Sequence, residues 1–108
     1  MSSPLVIDYY SDVLCIWAWI SQRRIVELKE QWGDKIEIRY HYLNLFGDTK
    51  SRMAEQWEER GGYEGFGQHV IEAAAPYDNA PVNADIWKYV RPLTSANAHV
   101  VLKSVALM

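Results

Sequence analysis

The sequence lacks the cysteine pairs, the excess of positive charge and the long apolar runs that mark disulfide-bonded, nucleic-acid-binding and membrane-spanning proteins. Its 108 residues contain one cysteine, Cys15, so no internal disulfide can form. Acidic residues outnumber basic ones by 14 to 11, a balance that lacks the positive charge typical of nucleic-acid binding. No apolar run approaches the roughly 20 residues that span a bilayer, and the first residues show no basic segment of a signal peptide. We therefore expect no nucleic-acid or membrane partner, and the cytoplasm is the simplest location.

What is present indicates one folded domain over residues 1–108. Hydrophobic residues make up 49% of the chain and aromatic residues 13%, which argues against disorder. Surface scaling predicts that a chain of 12.5 kDa buries about two thirds of its unfolded surface. That is enough for one hydrophobic core, so two independent domains are not expected.

The first part of the chain, residues 5–46, reads as a βαβ unit. Residues 5–10 are β-branched and aromatic, which predicts a mostly buried strand. Residues 16–32 have helical spacing, and residues 36–43 alternate in polarity like a second strand. The apolar side of that helix carries Trp17, Ile25, Leu28 and Trp32, with Ser21 among them. A right-handed crossover makes the two strands parallel, so the fold class is α/β.

The second part, residues 51–108, reads as a helical segment. We expect a charged helix over 51–60, a glycine-rich loop over 61–67 and a helix over 68–75. A short helix from Asn83 to Pro92 and a last helix capped by Thr94 or Ser95 should follow. The last helix reaches Met108 without a stop signal, and two strands alone make a poor sheet. The fold therefore reads as incomplete. We expect more sheet to follow or a second copy to supply it, most simply in a homodimer.

Cys15 is the main candidate for chemistry. It lies between the first strand and the first helix, where unpaired N–H groups and the helix dipole stabilise a thiolate over a thiol. That position suits a nucleophile. The alternative is a buried and inert cysteine that packs as a small apolar residue.

The residues around Cys15 resemble a known family. The run Ser11-Asp12-Val13-Leu14-Cys15-Ile16-Trp17-Ala18-Trp19 is similar to the active-site segment of the DsbA-like thioredoxin-fold superfamily. The similarity is to the branch of FrnE-type oxidoreductases, kappa-class glutathione transferases and 2-hydroxychromene-2-carboxylate isomerases. The helical segment resembles the insertion of that branch, and Ser95 with Ala98-His99 resembles an element of its later helix. The resemblance implies a thioredoxin-like fold and catalysis at Cys15.

Two departures from the family pattern restrict what this resemblance implies. The second cysteine of the family motif is Ala18 here, and Ile16 stands where proline is frequent. Without a resolving thiol, a mixed disulfide at Cys15 is not released within the chain, which disfavours dithiol oxidation. Glutathione then becomes a possible co-substrate, with no bound cofactor. The family also has a proline before a third strand, and none of Pro4, Pro76, Pro81 and Pro92 fits that place, so a fragment is expected.

Four other residues are candidates for substrate binding, each with an alternative structural role. Asp12 orients a ligand ammonium group or forms an Asx-turn. Trp17 lines a groove or packs in the core, and Trp19 lies about 200° further round the helix, toward the helical segment or solvent. His99 approaches the thiol or is structural. The three histidines are too dispersed for a metal site, so none is expected.

Two functions from different classes remain open. One is an enzyme that acts through the Cys15 thiol on a small thiol, a disulfide or a glutathione conjugate, as a thiol-disulfide oxidoreductase or a glutathione transferase or isomerase. The other is an inactive thioredoxin-fold module for binding or dimerisation, which the missing second thiol and the incomplete sheet favour.

Overall fold

The computed structural model describes residues 3–108 and confirms the α/β architecture. The elements are β1 Leu5–Ser11, α1 Ile16–Ile20, α2 Gln22–Trp32, β2 Ile36–Tyr42, α3 Thr49–Arg52, α4 Gly62–Ala74 and α5 Ala96–Ala106. Single turns of tighter or wider helix occupy Gly33–Lys35, Met53–Trp57, Glu58–Arg60 and Ile86–Val90. The two strands pair in parallel, from Leu5 opposite Ile36 to Ser11 opposite Tyr42. The predicted βαβ unit is therefore confirmed.

The predicted single helix over 16–32 is divided at Ser21. The Arg24 N–H bonds to the Ser21 carbonyl, three residues back, at 2.9 Å. The Ile20 carbonyl instead accepts from the Asn79 side chain at 3.3 Å. A side chain from the helical segment has thus taken the acceptor that would continue the helix, which explains the bend between α1 and α2.

The first strand is less buried than its composition predicts. Ile7 and Tyr9 are half-buried beside Ile38 and Tyr40 of β2, while Leu5, Val6 and Tyr10 are exposed. On the other sheet face the His41 ring stacks on Tyr10, and its Nε2 lies 2.7 Å from Asp8 Oδ1. The expectation of a mostly buried strand is wrong because only one face of this two-stranded sheet is covered.

Apart from Phe46, the members of the main hydrophobic cluster belong to the helical segment. The buried members of this cluster are Phe46, Met53, Trp57, Phe66, Val70 and Trp87. The Phe66 ring meets Trp57 and Trp87 edge to face, with centroids 5.0 and 4.8 Å apart. Met53 and Trp57 are both buried in the wider helical turn that follows α3, so the charged helix expected over 51–60 is divided into α3 and two single turns. This core packs against the partly buried Leu14, Cys15 and Ile16, and so supports the first turn of α1 from beneath.

The glycine-rich run over 61–67 is helical, which corrects the predicted loop. Gly61 has φ +97° and joins the preceding turn to α4, a conformation that favours glycine. A Cβ at Gly65 would collide with the Arg60 carbonyl, so glycine permits the tight entry into the helix. The glycines that suggested a loop instead allow close backbone contacts at the start of a helix.

The last helix docks its first turn beside the end of β2. The Ser95 N–H donates to the Phe46 carbonyl at 3.0 Å, and the Thr49 N–H donates to the Leu93 carbonyl at 3.1 Å. Ser95 occupies the N-cap position of α5, but its hydroxyl donates to Asp12 Oδ2, and the Thr94 Oγ1 accepts from the Ala96 N–H at 3.1 Å. Beyond this turn the apolar face of α5 is exposed. Its members are Ala98, Val101, Leu102 and Val105.

Candidate functional site around Cys15

Cys15 stands directly before α1, at the carboxyl end of the strand–turn segment. Its N–H donates to the Asp12 carbonyl at 3.0 Å, and its own carbonyl accepts the first bond of α1, from Trp19 N–H at 3.1 Å. The N–H groups of residues 16–18 precede that bond and form the positive end of the helix. Cys15 is partly exposed. The position before a helix is as predicted, and the reactivity of the thiol stays a prediction.

An apolar cavity of about 170 Å³ opens beside the thiol. Its walls come from the Cys15 turn, α4 and the Ile86–Val90 turn, and include Val70, Val82 and Trp87. A second cavity of about 300 Å³ lies at the ends of β1 and β2 and includes Tyr9, Tyr40 and Tyr42. Val13 and Trp19 line both cavities. The turn that carries Cys15 therefore separates two spaces, and only the smaller one includes the thiol in its wall.

The two tryptophans beside Cys15 are both largely exposed. Trp19 is 45% exposed, and its Nε1 donates to the Pro81 carbonyl at 3.0 Å. It therefore faces the helical segment, which is one of the two orientations predicted for it. Trp17 is 52% exposed, so the expectation that it packs in the core is wrong. The bend at Ser21 interrupts the apolar side that would have joined Trp17 to the buried Ile25. Substrate contact by either ring stays a prediction.

Asp12 is the centre of a buried hydrogen-bond network. It is 1% exposed, and its Oδ1 accepts from the Leu14 N–H at 2.8 Å, which is the Asx-turn that the sequence suggested. Its Oδ2 accepts from the Phe46 N–H at 3.0 Å and from the Ser95 hydroxyl at 2.7 Å. These donors stabilise a buried carboxylate. Direct contact with a ligand ammonium group would require this network to open.

His99 reaches the same turn from α5 and is 6% exposed. Its Nε2 accepts from the Val13 N–H at 2.9 Å, and its Nδ1 lies 2.8 Å from Asn44 Oδ1, an acceptor. This pattern assigns the proton to Nδ1 and leaves Nε2 bare. Nε2 is also 3.7 Å from Asp12 Oδ1, but a bare nitrogen makes no ion pair there. His99 thus contacts the backbone two residues before Cys15.

Several members of this site carried no recognisable signal in the sequence. Asn44 is 55 positions from His99, and Ser95 is 83 positions from Asp12, so only folding brings these partners together. Burial raises the pKa of Tyr9, and electrostatic repulsion from Cys15 raises it further. The alternation of β1 placed Tyr9 and Ser11 on the same face, a signal that could have pointed to Tyr9.

Among residues 3–108, no three His, Cys, Asp or Glu side chains converge as metal ligands. The three histidines have separate surroundings, since His41 pairs with Asp8, His69 packs on Trp57, and His99 bonds Val13 and Asn44. Within the same residues, no helix combines the length and apolar character needed to cross a membrane.

The comparison with protein families agrees with this geometry. No curated protein and no solved structure matches the chain significantly. A family model described as a DSBA-like thioredoxin domain matches residues 6–64, which is more than half of the chain. The match runs from β1 through Cys15 and β2 to the start of α4. The chain therefore belongs to the DSBA-like thioredoxin domain family, and its parallel strand pair with helices is consistent with part of that fold.

Proposed function

We propose that this protein is a thiol-dependent enzyme that acts through Cys15 on a disulfide, a thiol or a glutathione-linked substrate. One observation carries the proposal. Within the family segment, the thiol is partly exposed in the turn before a helix and lines an apolar cavity. Membership of the branch that contains FrnE-type oxidoreductases, kappa-class glutathione transferases and 2-hydroxychromene-2-carboxylate isomerases belongs to the same proposal.

The chemistry follows from the single thiol. The Cys15 thiolate attacks one sulfur of a substrate disulfide, forming a mixed disulfide and releasing the other sulfur as a thiolate. Ala18 supplies no resolving thiol, so a second thiol from solution must attack the Cys15–substrate bond. Glutathione is of the required class: its thiolate attacks the substrate sulfur held at Cys15, restores the Cys15 thiolate and forms a mixed disulfide with that half of the substrate. A second glutathione thiolate attacks this mixed disulfide, which gives oxidised glutathione and the second substrate thiol, so two glutathione thiols are oxidised for each substrate disulfide reduced. A reducing compartment such as the cytoplasm would supply glutathione.

The test is the rate at which Cys15 reacts with iodoacetamide and with oxidised glutathione near neutral pH. We expect both reactions to exceed those of free glutathione by about tenfold or more, because an activated thiol has a larger thiolate fraction. Cys15→Ser removes the reaction and controls for reagent attack elsewhere. A rate no greater than that of free glutathione, in a folded protein, rejects the proposal.

Ala18→Cys provides a second and independent test. It supplies a thiol three residues after Cys15, one helical turn away. We expect the variant to release a Cys15 mixed disulfide without added glutathione, whereas the parent protein retains it. Failure to release it would show that position 18 does not face the Cys15 sulfur.

The second candidate function is an inactive module for binding or dimerisation. Two observations favour it, namely Ala18 in place of a second thiol and the exposed apolar face of α5. A scaffold would keep its stability and its partner after Cys15→Ser, and its thiol would be no faster than glutathione. The alkylation measurement therefore separates the two candidates.

A further inference from the structure

We propose that His99 is a positioning residue that clamps the turn carrying Cys15, and that a proton on its Nε2 releases the clamp. The inference rests on the proposed function for its consequence in catalysis, but its structural part stands apart from it. His99 belongs to α5, outside the residues that the family model covers.

The clamp has a defined geometry. The Val13 N–H donates to Nε2 at 2.9 Å, and the opposite ring nitrogen is anchored at Asn44 Oδ1, 2.8 Å away. Tyr42 stacks on the imidazole with ring centroids 4.8 Å apart and fixes its plane. The ring is therefore held on both edges and one face. Its bond to Val13 is the tie from α5 to the backbone beside Cys15.

The same turn is tied a second time through Asp12. Asp12 Oδ1 holds the Leu14 N–H, and Oδ2 holds the Ser95 hydroxyl, at the start of the helix that carries His99. The amides of Val13 and Leu14, the two residues before Cys15, are thus fixed by side chains that belong to α5 or bond to its start. This second tie uses a carboxylate and does not require His99 to change its protonation.

Protonation of Nε2 is incompatible with the first tie. A protonated Nε2 carries its own hydrogen, so it cannot accept the Val13 N–H, and the two donors face each other. A carboxylate acceptor, Asp12 Oδ1, lies 3.7 Å from Nε2. We expect the ring to exchange Val13 for Asp12 and leave the Val13 amide without its partner.

The other charged or titratable groups around His99 act less directly. Tyr42 covers its ring from β2, and Tyr10 and His41 line the same open side of the sheet. Lys103, one turn further along α5, donates its Nζ to the Tyr40 carbonyl at 3.1 Å. His41 is itself 2.7 Å from Asp8 Oδ1. Of these groups, Asp12 is the acid that lies closest to Nε2, and His41 is the control histidine for the experiments.

The structural part is tested by nuclear magnetic resonance of the whole chain. Long-range proton–nitrogen correlation should show His99 protonated at Nδ1 alone near neutral pH. On acidification, the Val13 amide signal should move with the same midpoint as the His99 ring. His99→Gln offers an amide oxygen near the place of Nε2 that takes no proton, and its Val13 signal should no longer follow acidification. A neutral His99 protonated at Nε2, or a Val13 amide that ignores the ring, overturns the clamp.

The catalytic part is tested with oxidised glutathione as the probe across the same pH range. The exchange rate of the parent protein should show a step at the His99 midpoint, and His99→Gln should lack that step. His99→Ala should react about five- to tenfold more slowly than His99→Gln at neutral pH, since one hydrogen bond to the turn is lost. His41→Gln should keep the step. The same step in His99→Gln, or equal rates for the glutamine and alanine variants, overturns the positioning role.

The two tests fail separately. If Val13 follows His99 but no variant reacts with oxidised glutathione, the clamp stands and the proposed function is rejected. If the parent protein reacts and the step survives His99→Gln, the function stands and the inference is rejected. Circular dichroism of both variants confirms the fold, and the glutamine variant decides the matter if the alanine variant does not fold.

Discussion

The helical cluster, residues 46–90, and the sheet face, formed by β1, β2 and α5, differ in how their apolar residues are covered. In the helical cluster, aromatic rings contact one another on several sides, and Trp87 is 3% exposed. On the sheet face, one side of the sheet is open, and Val101 of α5 is 62% exposed. Cys15 lies where the two regions meet. It packs against the helical cluster, and Asp12 and His99 hydrogen-bond the two residues before it at the ends of the strands.

This difference is visible in the dimensions of the whole chain. The accessible surface is 7816 Å², about 1,600 Å² more than expected for a compact protein of this mass. The radius of gyration is 16.2 Å, against about 13 Å expected for a compact chain of this length. The aromatic helical cluster therefore supplies the core, whereas the βαβ unit that carries Cys15 contributes an uncovered face.

The largest expected effect comes from opening the helical cluster. Trp87→Ala should reduce the free energy of unfolding by about 3–5 kcal/mol, because it removes ring contacts to Phe46 and Phe66 and leaves a cavity. Val101→Ala on α5 should change the free energy of unfolding of the monomer by about 0.5 kcal/mol or less, because this side chain is exposed in the single chain. Urea unfolding of both variants measures the contrast. Equal losses would mean that the two regions are equally packed in solution.

The next largest effect concerns self-association, which we propose. A standard interface buries about 800 Å² on each partner, and the accessible surface of this chain exceeds that of a compact protein by more than this area. The exposed residues of α5 and the open sheet supply the apolar area for a second copy. Val101→Asp should weaken a dimer by about 2 kcal/mol or more, since it buries an unpaired charge in each copy. Sedimentation velocity at micromolar concentration measures it, with Lys50→Asp on α3 as control. A parent protein that sediments as a monomer contradicts the proposal.

A smaller effect is expected where the two regions are joined. Asp12→Asn should cost about 1–3 kcal/mol, because an amide nitrogen replaces one oxygen and then faces a backbone or hydroxyl donor. Asp78→Asn, at an exposed position, is the matched control. Urea midpoints at neutral pH compare the two. A cost no larger than that of the control would show that the network at Asp12 does not hold the regions together.

The smallest effect is a pH dependence at the start of α3. The Ser51 hydroxyl and N–H donate to the Asp48 carboxylate and lower the pKa of Asp48 below its ordinary value of 3.8. Because the pKa of Asp48 is lower in the folded than in the unfolded chain, its ionised carboxylate stabilises the fold at pH values above the ordinary pKa of 3.8. This stabilisation is lost as the pH falls through the lowered pKa of the folded state. Urea midpoints of the parent protein should therefore fall more on acidification, from about pH 5 to pH 3, than those of Asp48→Asn. Parallel curves would contradict this.

Much of the local structure could be predicted from the sequence. Alternation over 36–43 predicted β2, and helical spacing over 16–32 predicted the helical residues of α1 and α2. Both depend on short-range periodicity, which the side-chain directions of a strand or helix enforce. The helical run over 62–67 was missed because a pattern of glycines does not distinguish a flexible loop from close helix packing.

The same distinction between short-range pattern and tertiary contact applies to the candidate site. Local sequence was sufficient to predict that Cys15 precedes a helix, that Ala18 leaves it without a neighbouring thiol, and that Asp12 can form an Asx-turn, because each is a relation between residues a few positions apart. The exposure of Trp17, the bond from Ser95 to Asp12, and the bonds of His99 to Val13 and Asn44 depend on the folded arrangement of the whole chain. Those contacts span 55 to 86 positions of the chain, and packing of α5 against the sheet ends is the physical event that creates them.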